Sequence, residues 1–279
     1  MENPSTEEPV LYSVTGGIAL LTLNRPERLN AFNGPMLQRW VSCLEEAQAD
    51  RDVRVIVLTG AGRGFCSGGD VGRMAETASG DKKPDQARSE GQTPLKMKES
   101  LRRGIQRIPL LMQRIDKPVI AAINGAATGA GLDVALMCDI RFAAAGARLG
   151  ETYSKLGLVP GGGGAYFLPR IVGVAKALEL FWSAKMIDAE EALRLGMVNG
   201  VFPDDQLLPQ TMEFAQRVAD APPISIQLIK RAVYQSMGTD LATSLDLVSS
   251  HMTVARSSRD HIEALKAIKE KRPGRFEGR

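Results

Sequence analysis

The chain of 279 residues carries a net charge of +3, and 44% of its residues are hydrophobic. This length suits one large α/β domain or one domain with a smaller appendage, and the apolar fraction is sufficient for a substantial core. The charge is too small, and the aromatic content of 5% too low, for a nucleic-acid-binding protein. Three cysteines without C-x-x-C spacing argue against a disulfide framework and favour reduced thiols.

The N-terminal sequence MENPSTEEPV is acidic and polar. It lacks the basic and apolar regions of a secretory signal and the arginines of a transit peptide. No apolar run is long enough to span a bilayer, so we expect a soluble cytoplasmic protein with no membrane partner. The two histidines, His251 and His261, lie far from every glycine-rich motif, which argues against a histidine-based triad or a multi-histidine metal site.

The first sixty residues predict the order strand, strand, helix, strand. The segment VLYSVTGGIALLTL indicates two strands around a turn at Gly16 and Gly17. The apolar residues of MLQRWVSCL recur at helical spacing directly after Pro35, a residue suited to the start of a helix. The short β-branched run VRVIVLTG is typical of a buried strand.

The pattern changes between residues 75 and 117. The polar stretch ETASGDKKPDQARSEGQ has no periodicity and is typical of a mobile loop. A helical pattern follows in LKMKESLRRGIQRIPLLMQRI, with Pro109 as a candidate break. Strands are predicted again in KPVIAAING and DIRFAAAGARLG, and from Gln206 onward the pattern is wholly helical. We therefore divide the chain into an α/β core, residues 1–205, and a helical C-terminal region, residues 206–279.

Two glycine-rich turns follow predicted strands: GAGRGFCSGGD, which ends at Asp70, and NGAATGAGLD, which ends at Asp133. Each opens a helix or a helical turn and presents unpaired backbone N–H groups. Taken alone, each is typical of an ordinary strand-to-helix connection. Brought together, two such turns can hold one oxygen between two N–H donors, an oxyanion hole suited to an enolate or a tetrahedral adduct. Neither completes G-x-G-x-x-G and the chain has no G-K-[ST], so nucleotide binding of those kinds is poorly supported.

Asp133 lies inside the apolar segment GLDVALMCDI. Burying a carboxylate there is costly unless the charge is paired or used. Its position directly after the second turn makes it the first candidate for an acid or base beside the oxyanion donors.

Five stretches occur in order from about Val10 to the end: LNRPERLNAF, RVIVLTGAGRGFCSGGDV, KPVIAAINGAATGAGLDVALMCDIRFAA, LGLVPGGGGAYFLPRIVG and EKRPGRFEGR. Through them the chain resembles the crotonase (enoyl-CoA hydratase/isomerase) superfamily. The resemblance implies an α/β fold, a spiral of ββα units, with a helical C-terminal region used in trimerisation and often a dimer of trimers. It also implies an acyl-coenzyme A substrate, no metal, and no cofactor beyond the coenzyme A of the substrate.

By position, the resemblance implies oxyanion donors at the backbone N–H groups of Ser67 and Ala130, with Gly69 as the alternative register for the first. It implies two segments that line the adenine end of coenzyme A, with Arg28 meeting a phosphate. A solvated surface arginine is an equally good interpretation of Arg28. The residues of the two segments are Arg28, Leu29, Ala31, Ser67, Gly68, Gly69 and Asp70.

Hydratases of this family usually carry two glutamates, and the resemblance places Asp133 at the first position and Tyr153 at the second. A tyrosine has an ordinary pKa near 10, so it donates a hydrogen bond at neutral pH and is a poor base. Glu151 could replace the missing acid, because residues two apart share a face in an extended segment. In a helix they do not, and an exposed glutamate or a helix cap is the plainer interpretation of Glu151.

These residues predict an acyl-CoA enzyme of the enoyl-CoA hydratase/isomerase type, with Asp133 as acid/base and Tyr153 as an auxiliary donor or pocket wall. An acyl-CoA hydrolase, lyase or decarboxylase is a second interpretation, since each of these reactions passes through an enolate or oxyanion. A non-catalytic acyl-CoA-binding protein is a third, which the tyrosine at the second glutamate position permits.

Overall fold

The structure is a computed structural model that describes residues 8–70 and 93–279. The strands are β1 (Val10–Thr15), β2 (Ile18–Leu23), β3 (Val55–Gly60), β4 (Gly64–Cys66), β5 (Val119–Ile123), β6 (Ala126–Thr128), β7 (Ile140–Ala144), β8 (Arg148–Gly150), β9 (Ile187–Asp188) and β10 (Gly200–Phe202). The α-helices are α1 (Gly34–Ala49), α2 (Pro94–Arg103), α3 (Arg107–Met112), α4 (Ala130–Leu136), α5 (Gly164–Val172), α6 (Val174–Ser183), α7 (Ala189–Arg194), α8 (Leu207–Ala219), α9 (Pro223–Ser236), α10 (Leu241–Ser257) and α11 (Arg259–Glu270).

Two sheets wind the chain into a spiral. The larger sheet has the strand order β1-β2-β3-β5-β7-β10, and the smaller has the order β4-β6-β8-β9. From β3 to β8 the chain alternates between the sheets, because β3, β5 and β7 lie in the larger and β4, β6 and β8 in the smaller. Helices follow each pair of strands. The predicted α/β spiral of ββα units is therefore confirmed.

Helix α1 illustrates how local sequence sets an element. The side chain of Asn33 caps the helix by accepting the Met36 N–H at 2.9 Å, and Pro35 lies in the first turn. The apolar residues at helical spacing form the face that packs on the core, with Met36, Trp40, Val41 and Leu44 all buried. The predicted hairpin before it is also present, with β1 antiparallel to β2.

The predicted break at Pro109 is wrong. Pro109 is the third residue of α3, where a backbone N–H has no partner within the helix to lose. The interruption falls instead at Gly104, which ends α2 with φ −96° and ψ −119°. The predicted polar loop, residues 76–92, lies outside the described residues.

The helical C-terminal region meets the core in two ways. Helix α8 packs directly against β3 and β5 of the larger sheet. Helix α9 is held by an ion pair of 2.7 Å between Lys230 and Asp139, and Tyr234 donates to the same carboxylate at 2.9 Å. Asp139 also accepts the Val119 N–H at 2.7 Å, so this carboxylate joins the start of β5 to α9. The division of the chain at residue 205 stays a prediction.

Asn30 joins the segment after β2 to the first half of the glycine-rich stretch GAGRGFCSGGD, which contains strand β4. Its side chain is completely buried. Its Oδ1 accepts the Arg25 N–H at 2.8 Å. Its amide nitrogen lies 3.0, 2.8 and 3.2 Å from the carbonyl oxygens of Ala61, Gly64 and Phe65. One side chain thus ties the residues beside the first predicted coenzyme A segment to the loop and strand that precede the second.

We expect Asn30→Ala to lower the free energy of unfolding by about 3 kcal/mol, because it leaves buried carbonyls and an N–H without partners. Chemical denaturation followed by circular dichroism measures this loss. Gln38→Ala removes an exposed amide on α1 and serves as the control, with an expected change below about 0.5 kcal/mol. Equal effects of the two substitutions would show that the Asn30 hydrogen bonds do not hold this junction.

Candidate active site

The two glycine-rich turns lie directly against each other. Strands β4 and β6, which lie within these two stretches, pair in parallel. Gly68 has a φ of 84°, and a Cβ there would lie 3.1 Å from the backbone nitrogen of Ala130. A Cβ on Gly131 would lie 2.0 Å from the carbonyl oxygen of Cys66. Only glycine permits this approach, so the glycines bring the two predicted donor segments together.

The structure distinguishes between the predicted oxyanion donors. The Ser67 N–H donates to the Leu29 carbonyl at 2.9 Å, so Ser67 is not a free donor, contrary to the prediction. The N–H groups of Gly69 and Ala130 have no acceptor among the residues that the structure describes. Ala130 is the first residue of α4, a position whose N–H no helical hydrogen bond uses. Of the three predicted donors, Gly69 and Ala130 are therefore the two whose N–H groups have no acceptor in the described part of the chain.

The two segments predicted for coenzyme A are neighbours. The Phe32 N–H donates to the Gly68 carbonyl at 2.7 Å, and the Ser67 hydroxyl donates to the Arg28 carbonyl at 3.2 Å. Asp70 lies 3.6 Å from the Arg25 guanidinium. The side chain of Arg28 is exposed and forms no ion pair with the described residues. Together the segments form one surface beside the first turn.

Helix α4 buries Asp133 completely. Asp133 lies three residues after Ala130 and hence on the same side of the helix. Its Oδ2 accepts the Tyr153 hydroxyl at 2.6 Å and the Gly162 N–H at 3.0 Å. Burial raises the pKa of Asp133 above its ordinary value, and the hydrogen bonds from Tyr153 and from the Gly162 and Gly164 N–H groups oppose that shift.

The glycine run at residues 161–164 covers the Asp133 carboxylate. A Cβ on Gly164 would lie 2.1 Å from Oδ1 of Asp133, and a Cβ on Gly162 would lie 2.7 Å from Oδ2. Residues without side chains are needed here, because only they can bring backbone N–H groups this close to the carboxylate. Gly162 and Gly164 were not among the predicted site residues, although four consecutive glycines are a visible signal in the sequence.

Glu151 and Tyr153 both reach Asp133. Glu151 has φ −88° and ψ 83°, and it precedes the short 3₁₀ helix Thr152–Leu156. Only 1% of its surface is exposed, so the interpretation as an exposed glutamate or helix cap is wrong. Burial raises the pKa of Glu151 to about 10, and the charge of Asp133 adds to that shift. Burial and the Asp133 charge also raise the pKa of Tyr153, which keeps the phenol neutral.

An apolar cavity of about 440 Å³ adjoins Tyr153. Leu158, Val159, Phe181 and Trp182 contribute to its wall. Such a lining suits hydrocarbon better than a charged group.

Residues 8–70 and 93–279 contain neither a metal-binding cluster nor a membrane-spanning helix. No group of three or more His, Cys, Asp or Glu side chains in these ranges is arranged to hold a metal ion. Within the same ranges, no helix has the length and apolar character that crossing a membrane requires.

Comparison with known proteins gives consistent matches. The family model for enoyl-CoA hydratase/isomerase matches residues 13–279. The 1,2-epoxyphenylacetyl-CoA isomerase of Escherichia coli is 37% identical over 272 residues, which cover 98% of this chain and 99% of that protein. The short-chain-enoyl-CoA hydratase of Clostridium acetobutylicum is 34% identical over 266 residues, covering 94% of this chain and 95% of that one.

Solved structures show the same relationship. The crystal structure of an enoyl-CoA hydratase from Bacillus anthracis matches with a TM-score of 0.88 and 31% sequence identity, over 97% of this chain and 100% of that chain. The predicted resemblance is thus confirmed in sequence and in fold. The chain belongs to the enoyl-CoA hydratase/isomerase family, within the crotonase superfamily.

Proposed function

We propose that this enzyme shifts the double bond of an enoyl-CoA thioester, with Asp133 as the acid/base and the N–H groups of Gly69 and Ala130 as the oxyanion hole. One observation carries the proposal. Two backbone N–H groups that have no acceptor in the described part of the chain belong to turns in direct contact, and a buried carboxylate lies one helical turn beyond the second.

The chemistry follows from where negative charge develops. Removing a proton from the carbon beside a thioester carbonyl moves an electron pair toward the carbonyl oxygen. Two N–H donors aimed at that oxygen stabilise the enolate. Asp133 accepts the proton and then returns it to another carbon of the extended enolate, so the double bond moves and no atom is gained or lost.

Isomerisation is favoured over hydration because one proton carrier suffices for it. Hydration needs one group to activate water and another to deliver a proton. Tyr153 takes the position of the second hydratase glutamate, and its raised pKa makes it a donor to Asp133 rather than a base. The similar protein from Escherichia coli is also an isomerase of an acyl-CoA, although it acts on an epoxide rather than on an enoyl double bond. The similar short-chain-enoyl-CoA hydratase makes hydration the second candidate.

We place the coenzyme A against the segments around Arg28 and Gly68, with the exposed Arg28 guanidinium toward a phosphate. The acyl group would then extend past Asp133 toward the apolar cavity beside Tyr153. No metal and no further cofactor is needed for this reaction, because the N–H donors and one carboxylate supply the charge stabilisation and the proton transfer.

We expect Asp133→Asn to lower kcat for double-bond isomerisation by about 10³-fold, because the amide cannot accept a proton. Absorbance of the conjugated enoyl thioester measures turnover of a 3-enoyl-CoA, and deuterium incorporation from D₂O measures enolate formation directly. Asp205→Asn, at an exposed carboxylate, is the control. Unchanged deuterium exchange in a folded Asp133→Asn enzyme would remove Asp133 from the proposed role.

Product analysis separates the other reactions. Consumption of crotonyl-CoA by wild type without double-bond migration would favour hydration. Release of free coenzyme A or carbon dioxide would favour the hydrolase, lyase or decarboxylase interpretation. Tight acyl-CoA binding with neither turnover nor exchange would favour the non-catalytic one.

We expect Gly68→Ala to lower kcat/KM by about 100-fold, because the new methyl group would obstruct the Ala130 N–H, one of two oxyanion donors. Gly196→Ala is the matched control. Gly196 also has a positive φ, 69°, but a Cβ there meets nothing within 4 Å, so this variant carries the backbone strain without the obstruction. Equal losses of kcat/KM in the two variants would contradict the proposed hole.

We also propose a homotrimer or a dimer of trimers, supported by exposed apolar side chains on α9, α10 and α11. They include Ile229, Val233, Leu241, Leu245, Ile262, Leu265 and Ile268. Exposed apolar surface of this extent is typical of a subunit interface. Light scattering or sedimentation is expected to give three or six times the chain mass of 30.1 kDa. A monomer at micromolar concentration would contradict this expectation.

A further inference from the structure

We infer that Glu151 is a neutral carboxylic acid that keeps its proton and donates a hydrogen bond to Asp133, so that the two carboxyl groups hold one proton between them. Glu151 is then a positioning residue, which acts through Asp133 and does not touch the substrate. The catalytic consequence rests on the proposed role of Asp133, but the protonation state does not.

Unmatched hydrogen-bonding atoms are the first argument. Both oxygens of Glu151 and Oδ1 of Asp133 are buried, and none has a donor among the described residues. The two carboxyl groups converge at Gly164, where a Cβ would lie 2.1 Å from Asp133 Oδ1 and 3.1 Å from Glu151 Oε1. Two carboxylates can only accept hydrogen bonds, so neither could satisfy the other. A proton on Glu151 supplies Asp133 Oδ1 with the donor that it lacks.

The balance of charge is the second argument. The groups that act on Asp133 are Glu151, the Tyr153 hydroxyl and the N–H groups of Gly162 and Gly164. Asp133 is the titratable group that acts on Glu151. Within residues 8–70 and 93–279, no Lys, Arg or His forms an ion pair with either acid, and none is among the main groups that shift their pKa values. Two adjacent buried negative charges without a cation are strongly unfavourable, so one carboxyl group keeps its proton.

The distribution of donors decides which group is protonated. Asp133 accepts hydrogen bonds from the Tyr153 hydroxyl and the Gly162 N–H, and the nearby Gly164 N–H also lowers its pKa, so all three groups favour its charged form. Glu151 accepts none from the described residues. Burial raises the pKa of both groups, but only for Asp133 do donors oppose the shift. The proton therefore resides on Glu151, and the negative charge resides on Asp133.

This arrangement has a consequence for catalysis. At neutral pH the neutral Glu151 holds Asp133 Oδ1 while Tyr153 holds Oδ2, so the carboxylate stays ionised and fixed in place. As the pH rises toward the Glu151 pKa of about 10, that proton is lost and a second charge appears beside Asp133. The site then holds two repelling carboxylates, and we expect activity to fall along an alkaline limb of the pH profile.

Infrared spectroscopy of the enzyme without substrate tests the protonation state. The difference spectrum between wild type and Glu151→Gln at neutral pH is expected to show the carbonyl stretch of one protonated carboxyl group, present in wild type and shifted in D₂O. Absence of this band in wild type would overturn the inference. Because no turnover is needed, this result is independent of the reaction that the enzyme catalyses.

The pH dependence of kcat/KM tests the positioning role. Glu151→Gln still donates to Asp133 but cannot ionise, so we expect a loss of about fivefold at neutral pH and no alkaline limb. Glu151→Leu removes the donor, so we expect a loss of about 100-fold and an acidic limb moved to higher pH, because Asp133 loses a bond to its charged form. Circular dichroism and mass must match wild type in both variants.

Two outcomes would contradict the positioning role. A folded Glu151→Gln enzyme without activity would show that Glu151 itself transfers protons to the substrate. Equal losses in both variants, with unchanged pH limbs, would show that Glu151 serves packing alone. Either result would leave the test of Asp133 by deuterium exchange unaffected, so the two proposals can fail separately.

Discussion

Close backbone contact between the two glycine-rich turns is the constraint on which the site depends. The smaller sheet pairs β4 with β6 in parallel, so both turns emerge at the same edge. Gly131 then lies against the Cys66 carbonyl, and Gly68 lies against the Ala130 nitrogen. A side chain at either glycine would push the turns apart, and the two N–H groups would no longer point to one oxygen. The alternation of strands between two sheets is thus what turns two ordinary connections into one potential oxyanion hole.

The second constraint is electrostatic. A carboxylate without exposed surface needs donors in place of water, and here they come from two separate segments, the one around Tyr153 and the glycine run. Tyr153 follows β8, Gly162 lies in the glycine run, and Gly164 begins α5. Burial raises the pKa of Asp133, whereas these donors lower it. The raised pKa makes Asp133 more basic than an aspartate in water, and the donors favour its charged form; the proposed proton carrier needs both properties.

Much of this could be predicted from the sequence where the cause is local. The spacing of apolar residues around Trp40 predicted α1, and the two glycine-rich turns, considered as a pair in the sequence, do lie against each other. The predictions for Ser67 and Glu151 were wrong because they depend on contacts between distant parts of the chain. The Ser67 N–H is occupied by the carbonyl of Leu29, 38 positions earlier, and Glu151 is buried by its approach to Asp133 and Gly164. Such contacts arise from how segments fold onto each other, and neither periodicity nor turn composition reports them. The predicted break at Pro109 was wrong for a local reason. A proline interrupts a helix in its interior but not in its first turn, where Pro109 lies.

A single negative charge links the two ends of the site. In the proposed reaction, the charge lies on Asp133 before proton abstraction and afterwards on the thioester oxygen between the Gly69 and Ala130 N–H groups. A second ionised acid would raise the energy of both arrangements. Tyr153, with its neutral phenol, and Glu151, with its retained proton, surround Asp133 with donors that carry no charge of their own. On this view the tyrosine at the second glutamate position does not leave the site degenerate. It helps to keep the total charge at one, so that the enzyme moves that charge from the carboxylate to the oxyanion hole and back as the proton is taken and returned.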